Sequence, residues 1–376
     1  MTTLETSAPP VYTSHPQDVE LAHLDHSSSR SRSPSLLTAP PPYPAGTNTS
    51  NTSLSTSTAG PTPGGPFNPT LHFQIQTTGK PWLSLPLPSR PDPIPIFSLH
   101  PDDSSLSASA HSSSPYYTCL RPERGSGSCY LTTGGSSSSN SSNNTIPVTS
   151  STTYRFGPNR PPVVRLFAPH TPPLPVETLN QLLYNKNQDV DVHGAGTGTS
   201  ACGAWDTFTI NSLGLLTRSI GFRSRLGYFE WRYAGRKERH AAAGAGIKGV
   251  EDLNSVLVLE RVVKVARALN GASSSKKRGK EEEVRTVVAQ FLRGEGCRTP
   301  GSGSSTAGNG GRLVMDLGGL VRAAGGDEAG VVEEKGEKEM AVALVVTTCL
   351  VMMKREVDRR RAQQIAIMAG AAGGGS

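Results

Sequence analysis

The stretch "EMAVALVVTTCLVMMKREVDRRR", Glu339 to Arg361, decides the fold. Met340 to Met353 are fourteen consecutive residues without a charge. As a helix they extend about 21 Å at about 1.5 Å per residue, short of the roughly 30 Å hydrocarbon core of a bilayer. A helix apolar on every side has to be enclosed by protein, and the lumen of a closed β-sheet encloses it on every side. Val342, Val345, Val346, Thr347, Thr348 and Val351 are β-branched and also suit a buried strand, so helix is the first reading and strand the second. The basic end, Lys354, Arg355, Arg359, Arg360 and Arg361, fits a helix C-terminus emerging into water.

What precedes this stretch has to supply the enclosure. Of 376 residues, 40 are Gly and 30 Pro, and only 35% are hydrophobic, so one core of moderate size interrupted by low-complexity loops is expected. Short β-type runs bounded by Pro, Gly or Ser begin after Phe67: "LHFQIQ" at Leu71, "PIPIFSL" at Pro93, "YYTCL" at Tyr116 and "CYLTT" at Cys129. Leu71, Phe73 and Ile75 alternate with His72, Gln74 and Gln76, the period of a half-buried strand. After the spacer "GGSSSSNSSNN" the pattern resumes in "TTYRFG", "PVVRLF", "WDTFTI", "GYFEWRYAG", "NSVLVLERVVKV", "VRTVVAQFL" and "GRLVMDL". Roughly ten short strands with turns between them predict an antiparallel barrel or sandwich. The insertions "NKNQDVDVHGAGTGTSACG", "GASSSKKRGKEEE" and "GCRTPGSGSSTAGNGG" fall between strands, where length costs little entropy and needs no functional explanation.

Three regions follow: a disordered Pro/Ser/Thr-rich tail over 1–65, a barrel domain with inserted loops over 66–361, and a flexible Gly/Ala tail over 362–376. The first residues carry neither a basic n-region nor an apolar h-region, so a secretory leader is not expected and a cytoplasmic location, peripheral to membranes, is. Five widely spaced cysteines without a C-x-x-C pair predict no metal site.

"YFEWRY" (Tyr228 to Tyr233), "RTVVAQFLRG" (Arg285 to Gly294) and "ALVVTTCLVMMKREVDRRR" (Ala343 to Arg361) together resemble a fungal family of unknown function in the tubby C-terminal-like superfamily, related to LURP-one-like proteins and phospholipid scramblases. The resemblance spans about residues 66 to 361. It implies a mainly β fold: a tubby-like antiparallel barrel of twelve strands or a close variant, threaded by the hydrophobic C-terminal helix. Some members of the superfamily bind phosphoinositides or act at membranes; none of this carries a catalytic residue to the chain.

Residues 201 to 300 hold 18 Lys and Arg against 10 Asp and Glu, within a net charge of +7 for the chain. Arg218, Arg223, Arg225, Arg232, Arg236, Lys237 and Arg239 read as two adjoining strands and their turn, from which several cationic groups could converge on phosphate. Most exposed arginines only solvate a sheet face, the plainer alternative. "PPVY" (Pro9, Pro10, Tyr12) and "PPPY" (Pro40, Pro41, Tyr43) are PPxY motifs of the kind that WW domains read as polyproline II helices. The crowded glycines Gly194, Gly196 and Gly198 lack the strand, helix and G-K-[ST] of a nucleotide loop. No G-x-S-x-G or H-E-x-x-H occurs. The expectation is a non-enzymatic, monomeric binding or adaptor protein without cofactor or nucleic-acid partner, taking anionic phospholipid and recruiting a WW-domain ubiquitin ligase. The alternative is a membrane-anchored, scramblase-like protein whose C-terminal segment inserts in the bilayer.

Overall fold

Strands form where small runs of alternating apolar residues are punctuated by Pro and Gly, and here they pair antiparallel almost entirely with their neighbours in sequence. In the computed structural model, the described residues lie within 67–373, excepting 83, 86, 88–91, 101–113, 124–126, 135–144, 155–159, 185–202, 215–216, 244–251, 267–280 and 322–330. All of them belong to one unit, Ala59–Ser376. The 1–65 tail, with both PPxY motifs, lies outside the described residues, as does most of the glycine-rich 193–203 segment.

The first half of the sheet comprises β1 (Leu71–Ile75), β2 (Ile94–Leu99), β3 (Tyr117–Leu120), β4 (Cys129–Thr133), β6 (Val148–Thr153) and β7 (Val163–Phe167). A separate two-stranded ladder joins β5 (Thr145–Ile146) to β8 (Leu174–Pro175). The second half comprises β9 (Ala204–Thr209), β10 (Asn211–Ser212), β11 (Ile220–Ser224), β12 (Gly227–Tyr233), β13 (Leu253–Ala266), β14 (Glu281–Gly294) and β15 (Gly311–Met315). Thirteen of these strands form one sheet in the order β10-β11-β12-β13-β14-β15-β1-β2-β3-β4-β6-β7-β9. Its two end strands, β9 and β10, are separated in the chain by Ile210 alone. The bent β9–β10 segment therefore pairs with β7 through its first part and with β11 through its second, and the sheet returns on itself as a nearly closed barrel. Stacked Phe208, Phe222 and Phe229, with centroids 5.2 and 5.5 Å apart, fill the seam where β9 and β11 diverge. Of the strands before Tyr154, β1, β2, β3, β4 and β6 are members of this sheet.

The lumen is occupied by α4 (Val331–Gly373), in which every residue from Met340 to Met353 is buried. The strands around it turn alternate side chains inward: Phe73 and Ile75 from β1, Val164 and Leu166 from β7, Phe229 and Trp231 from β12, Leu257 and Leu259 from β13, Leu313 and Met315 from β15. The helix reading of the apolar run holds and the strand alternative does not. Two hydroxyls of the helix meet polar partners inside: Thr347 Oγ1 lies 2.6 Å from Ser150 Oγ, and Trp231 Nε1 donates to Thr348 Oγ1 at 3.0 Å. Thr348 in turn donates to the Leu344 carbonyl at 2.8 Å, so its burial costs no unpaired hydroxyl. The helix also continues past the expected boundary at 361 to Gly373, because Ala362 to Met368 contain only good or tolerated helix formers and no proline.

Outside the barrel, α1 (Val176–Tyr184) packs Leu179 and Leu183 on Tyr130, with Ile146, Val148 and Leu174 around them. A second outer cluster joins Val256, Val258, Leu292 and Val314 to Ala242 of α2 (Arg236–Ala243) and to Cys297. β1 is consequently not half-buried: Gln74 on its outer side is covered, and donates to the Cys297 carbonyl at 2.8 Å. A short α3 (Leu317–Val321) follows β15.

If enclosure of α4 sets the fold, Leu344→Ala should lower unfolding stability by about 3 kcal/mol, the usual cost of a buried Leu truncation. Val346→Lys should fail to fold, since nothing in the lumen can pair the ammonium. Urea denaturation followed by circular dichroism measures the first and soluble yield the second; a wild-type midpoint for Leu344→Ala contradicts the packing described.

Candidate functional site

Where α4 leaves the barrel after Met353, its residues change from apolar to charged, and each turns to a different part of the rim. Lys354 Nζ lies 2.5 Å from Asp358 Oδ1 and over the Tyr154 ring at 5.0 Å. Arg355 donates to Ser212 Oγ of β10. Glu356, almost wholly buried, accepts from Arg293 of β14 at 2.5 and 2.6 Å, from Tyr233 Oη of β12 and from the Gly308 N–H at 3.2 Å. Arg360 donates to the Ser305 carbonyl at 3.1 Å and stands 4.4 Å over the Trp82 ring. This polar collar fixes the depth and rotation of the helix.

The collar depends on the inserted segment 296–311, which by its sequence needs no functional explanation. It is ordered against the rim instead: Cys297, Ser302, Thr306 and Asn309 are buried, and Ala307 pairs with Lys80 through two backbone hydrogen bonds of 2.8 and 3.0 Å. Gly308 has φ +65°, and a Cβ there would lie 2.5 Å from Val357 Cγ2 and 2.7 Å from the Met353 carbonyl oxygen. Only glycine lets the loop backbone approach the helix so closely.

Two adjoining clefts open between this loop, α2 and the emerging helix. The first, about 230 Å3, is lined by Arg218, Arg293, Arg298, Arg359 and Arg360, with Tyr233, Glu356 and the Ser304–Ala307 backbone among its other walls. The second, about 500 Å3, is lined by Arg236, Arg239, His240, Asp252 and Glu295 and shares Asn254, Arg298 and Ser304 with the first. Glu356 is committed to Arg293. Burial works against charge on both, yet their mutual hydrogen bonds hold Glu356 below the usual carboxylate range and raise Arg293. Glu295 reaches Arg298 only at 4.0 Å and is well exposed, a pair of little consequence. Arg218 lies 5.6 Å over Tyr233, and Arg239 donates to the Asn254 carbonyl at 3.2 Å. Among the described residues, no carboxylate comes within ion-pair distance of Arg218, Arg236, Arg239 or Arg359. The mouth therefore presents an excess of guanidinium groups to one small volume, the arrangement that suits an anion with several oxygens.

Of the seven cationic residues singled out in the sequence, Arg218, Arg236 and Arg239 come together here. Arg223 and Arg225 do not: the β11–β12 hairpin carries them to its far end, where Arg225 stacks over Trp205 at 5.5 Å and its backbone N–H donates to Asp206 Oδ2 at 2.8 Å. Arg232 is consumed on the outer face by Glu238 and Glu260, at 2.6 and 2.5 Å. Lys237 is exposed on α2 and lines neither cleft. The stretch read as strands and a turn thus ends in a helix from Arg236, with Glu238 in its first turn accepting from the Gly235 N–H at 2.7 Å. Arg293 and Arg298 entered the site unannounced; their signal was the basic end of β14 beside a glycine-rich loop. Among the described residues no cluster of three His, Cys, Asp or Glu could hold a metal.

No protein-family model, curated protein or solved structure matches this chain.

The ion pair makes a pH-dependent prediction. A carboxylate depressed in the folded state stabilises fully above its unfolded pKa of about 4.3, and that contribution is lost as pH falls through the folded value. Glu356→Gln, which leaves Arg293 buried without its counter-charge, should cost about 3 kcal/mol near neutral pH. In urea denaturation its deficit against wild type should shrink below about pH 4; a deficit independent of pH contradicts an ionised Glu356.

Proposed function

We propose that the chain is a non-enzymatic binding protein whose barrel mouth takes a phosphate-bearing anion, the headgroup of an anionic phospholipid being the ligand class that suits it best. The convergence of Arg218, Arg236, Arg239, Arg298 and Arg359 on two connected clefts, with few carboxylates to neutralise them, carries this reading. Enclosure of Met340–Met353 by the sheet favours peripheral association over insertion of that segment. Among the described residues, no helix is long and apolar enough to cross a membrane. The tail supplies the second half of the reading: Tyr12 and Tyr43 stand thirty-one residues apart in tandem PPxY motifs, so a protein with paired WW domains, such as a ubiquitin ligase, gains from effective concentration.

Binding to vesicles containing phosphatidylserine should exceed binding to phosphatidylcholine alone and fall steeply with added salt. Arg236→Ala with Arg359→Ala should weaken it roughly thirtyfold, from about 1 kcal/mol for each cation near an anionic surface. Sedimentation measures both; equal affinity of the double variant contradicts the assignment. Tyr12→Ala with Tyr43→Ala should abolish capture by an immobilised tandem WW domain, and undiminished capture removes that partner.

A further inference from the structure

We propose that an apolar ridge beside the mouth inserts into the surface of an anionic bilayer, so that the barrel docks end-on with its basic clefts against the headgroups. Six of the eleven large apolar side chains exposed among the described residues fall in two short segments: Trp82, Leu85 and Leu87, and Ile365, Ile367 and Met368. Their exposures run from 44% to 68%, where isolated surface residues would need no explanation but a shared patch does.

The two segments touch. Gln364 donates to the carbonyls of Pro81 and Trp82 at 3.3 and 2.6 Å, and Arg360 lies across the Trp82 ring. Ile367 and Met368 stand three and four positions after Gln364, hence on the same face of α4 one turn farther out. Lys80 Nζ donates to the carbonyls of Leu85 and Leu87 at 2.6 and 3.0 Å. The ammonium thereby ties Leu85 and Leu87 to Lys80 and satisfies two backbone acceptors, while the Leu85 and Leu87 side chains remain exposed. A loop that pairs its own carbonyls loses less on entering an apolar medium than an open one.

Charge identifies the occupant. The chain holds no Asp or Glu after Asp358, and the groups flanking the ridge are Arg359, Arg360, Arg361 and the cleft arginines. An indole and leucines beside the Lys80 ammonium and the guanidiniums of Arg359, Arg360 and Arg361 match the layering of a leaflet, with Trp at the headgroup level, Leu below it and the cations on phosphate. Orientation of the ridge toward an anionic leaflet rests on the reading of the mouth as an anion site.

The test uses the full chain with vesicles of phosphatidylcholine, alone or mixed with phosphatidylserine, and separates the two claims. Leu85→Ser with Leu87→Ser, and separately Ile367→Ser with Met368→Ser, change exposed residues and should each reduce binding to the mixed vesicles about tenfold or more, as loss of buried apolar area requires. Brominated acyl chains should quench tryptophan fluorescence in the wild type and not in Trp82→Phe. Wild-type binding by both serine variants overturns the insertion, and leaves the anion site standing if Arg236→Ala with Arg359→Ala binds more weakly. Loss with the serine variants but not with the arginine variants supports the ridge and removes the anion site. Failure of the wild type to bind either vesicle overturns both. A dimer in solution that the serine variants disperse assigns the ridge to a second copy and overturns the bilayer.

Discussion

An apolar helix with no polar face has one physical requirement, complete removal from water, and the architecture follows from meeting it. Partial cover by a flat sheet would leave half of Met340–Met353 exposed; a sheet that returns on itself leaves none. The requirement reaches most strands of the sheet, because they must offer alternate side chains to the same central rod. It also governs polarity inside. Thr347 and Thr348 are tolerated in the lumen because Ser150, Trp231 and the helix backbone complete their hydrogen bonds.

The same helix has to end its apolar run at the barrel rim, and that transition places the candidate site. Beyond Met353 the helix passes through the barrel rim, where its charged residues are still buried or half-buried, so they have to find partners there. Glu356 is answered by Arg293 and Tyr233, Lys354 by Tyr154 and, within the helix, by Asp358, and Arg355 by Ser212. Cations left over from this matching, Arg359 among them, meet Arg218, Arg236 and Arg298 from neighbouring elements. A basic mouth is thus a by-product of seating the helix.

Much of the barrel was legible because short apolar runs bounded by Pro, Gly or Ser mark its strands: β1, β2, β7, β13 and β15 fall on such runs, and β1 alternates with period two as well. β6 was not, since Val148–Thr153 continues a Ser/Asn spacer and only tertiary context shows that Ser150 faces the helix. The α1 and α2 helices were missed because nine and eight residues between strands give too short a pattern to separate from a loop. For the candidate site, sequence proximity was a poor guide to which cations come together: a hairpin sends Arg218 and Arg225 to opposite ends, while the fold brings Arg218 beside Arg293 and Arg359. The 296–311 segment misled most, because low complexity suggests slack and Gly308 is there for a close contact.

Hydrogen exchange resolved by peptide, on the full chain under native conditions, tests the central claim most directly. Enclosure predicts that the amides of Met340–Met353 exchange only through global unfolding, with protection equal to that of the β13 and β14 strands around them. Exchange of that segment at a lower free energy than the strands, or its release while the sheet stays protected, would show that the helix is not what the barrel is built around.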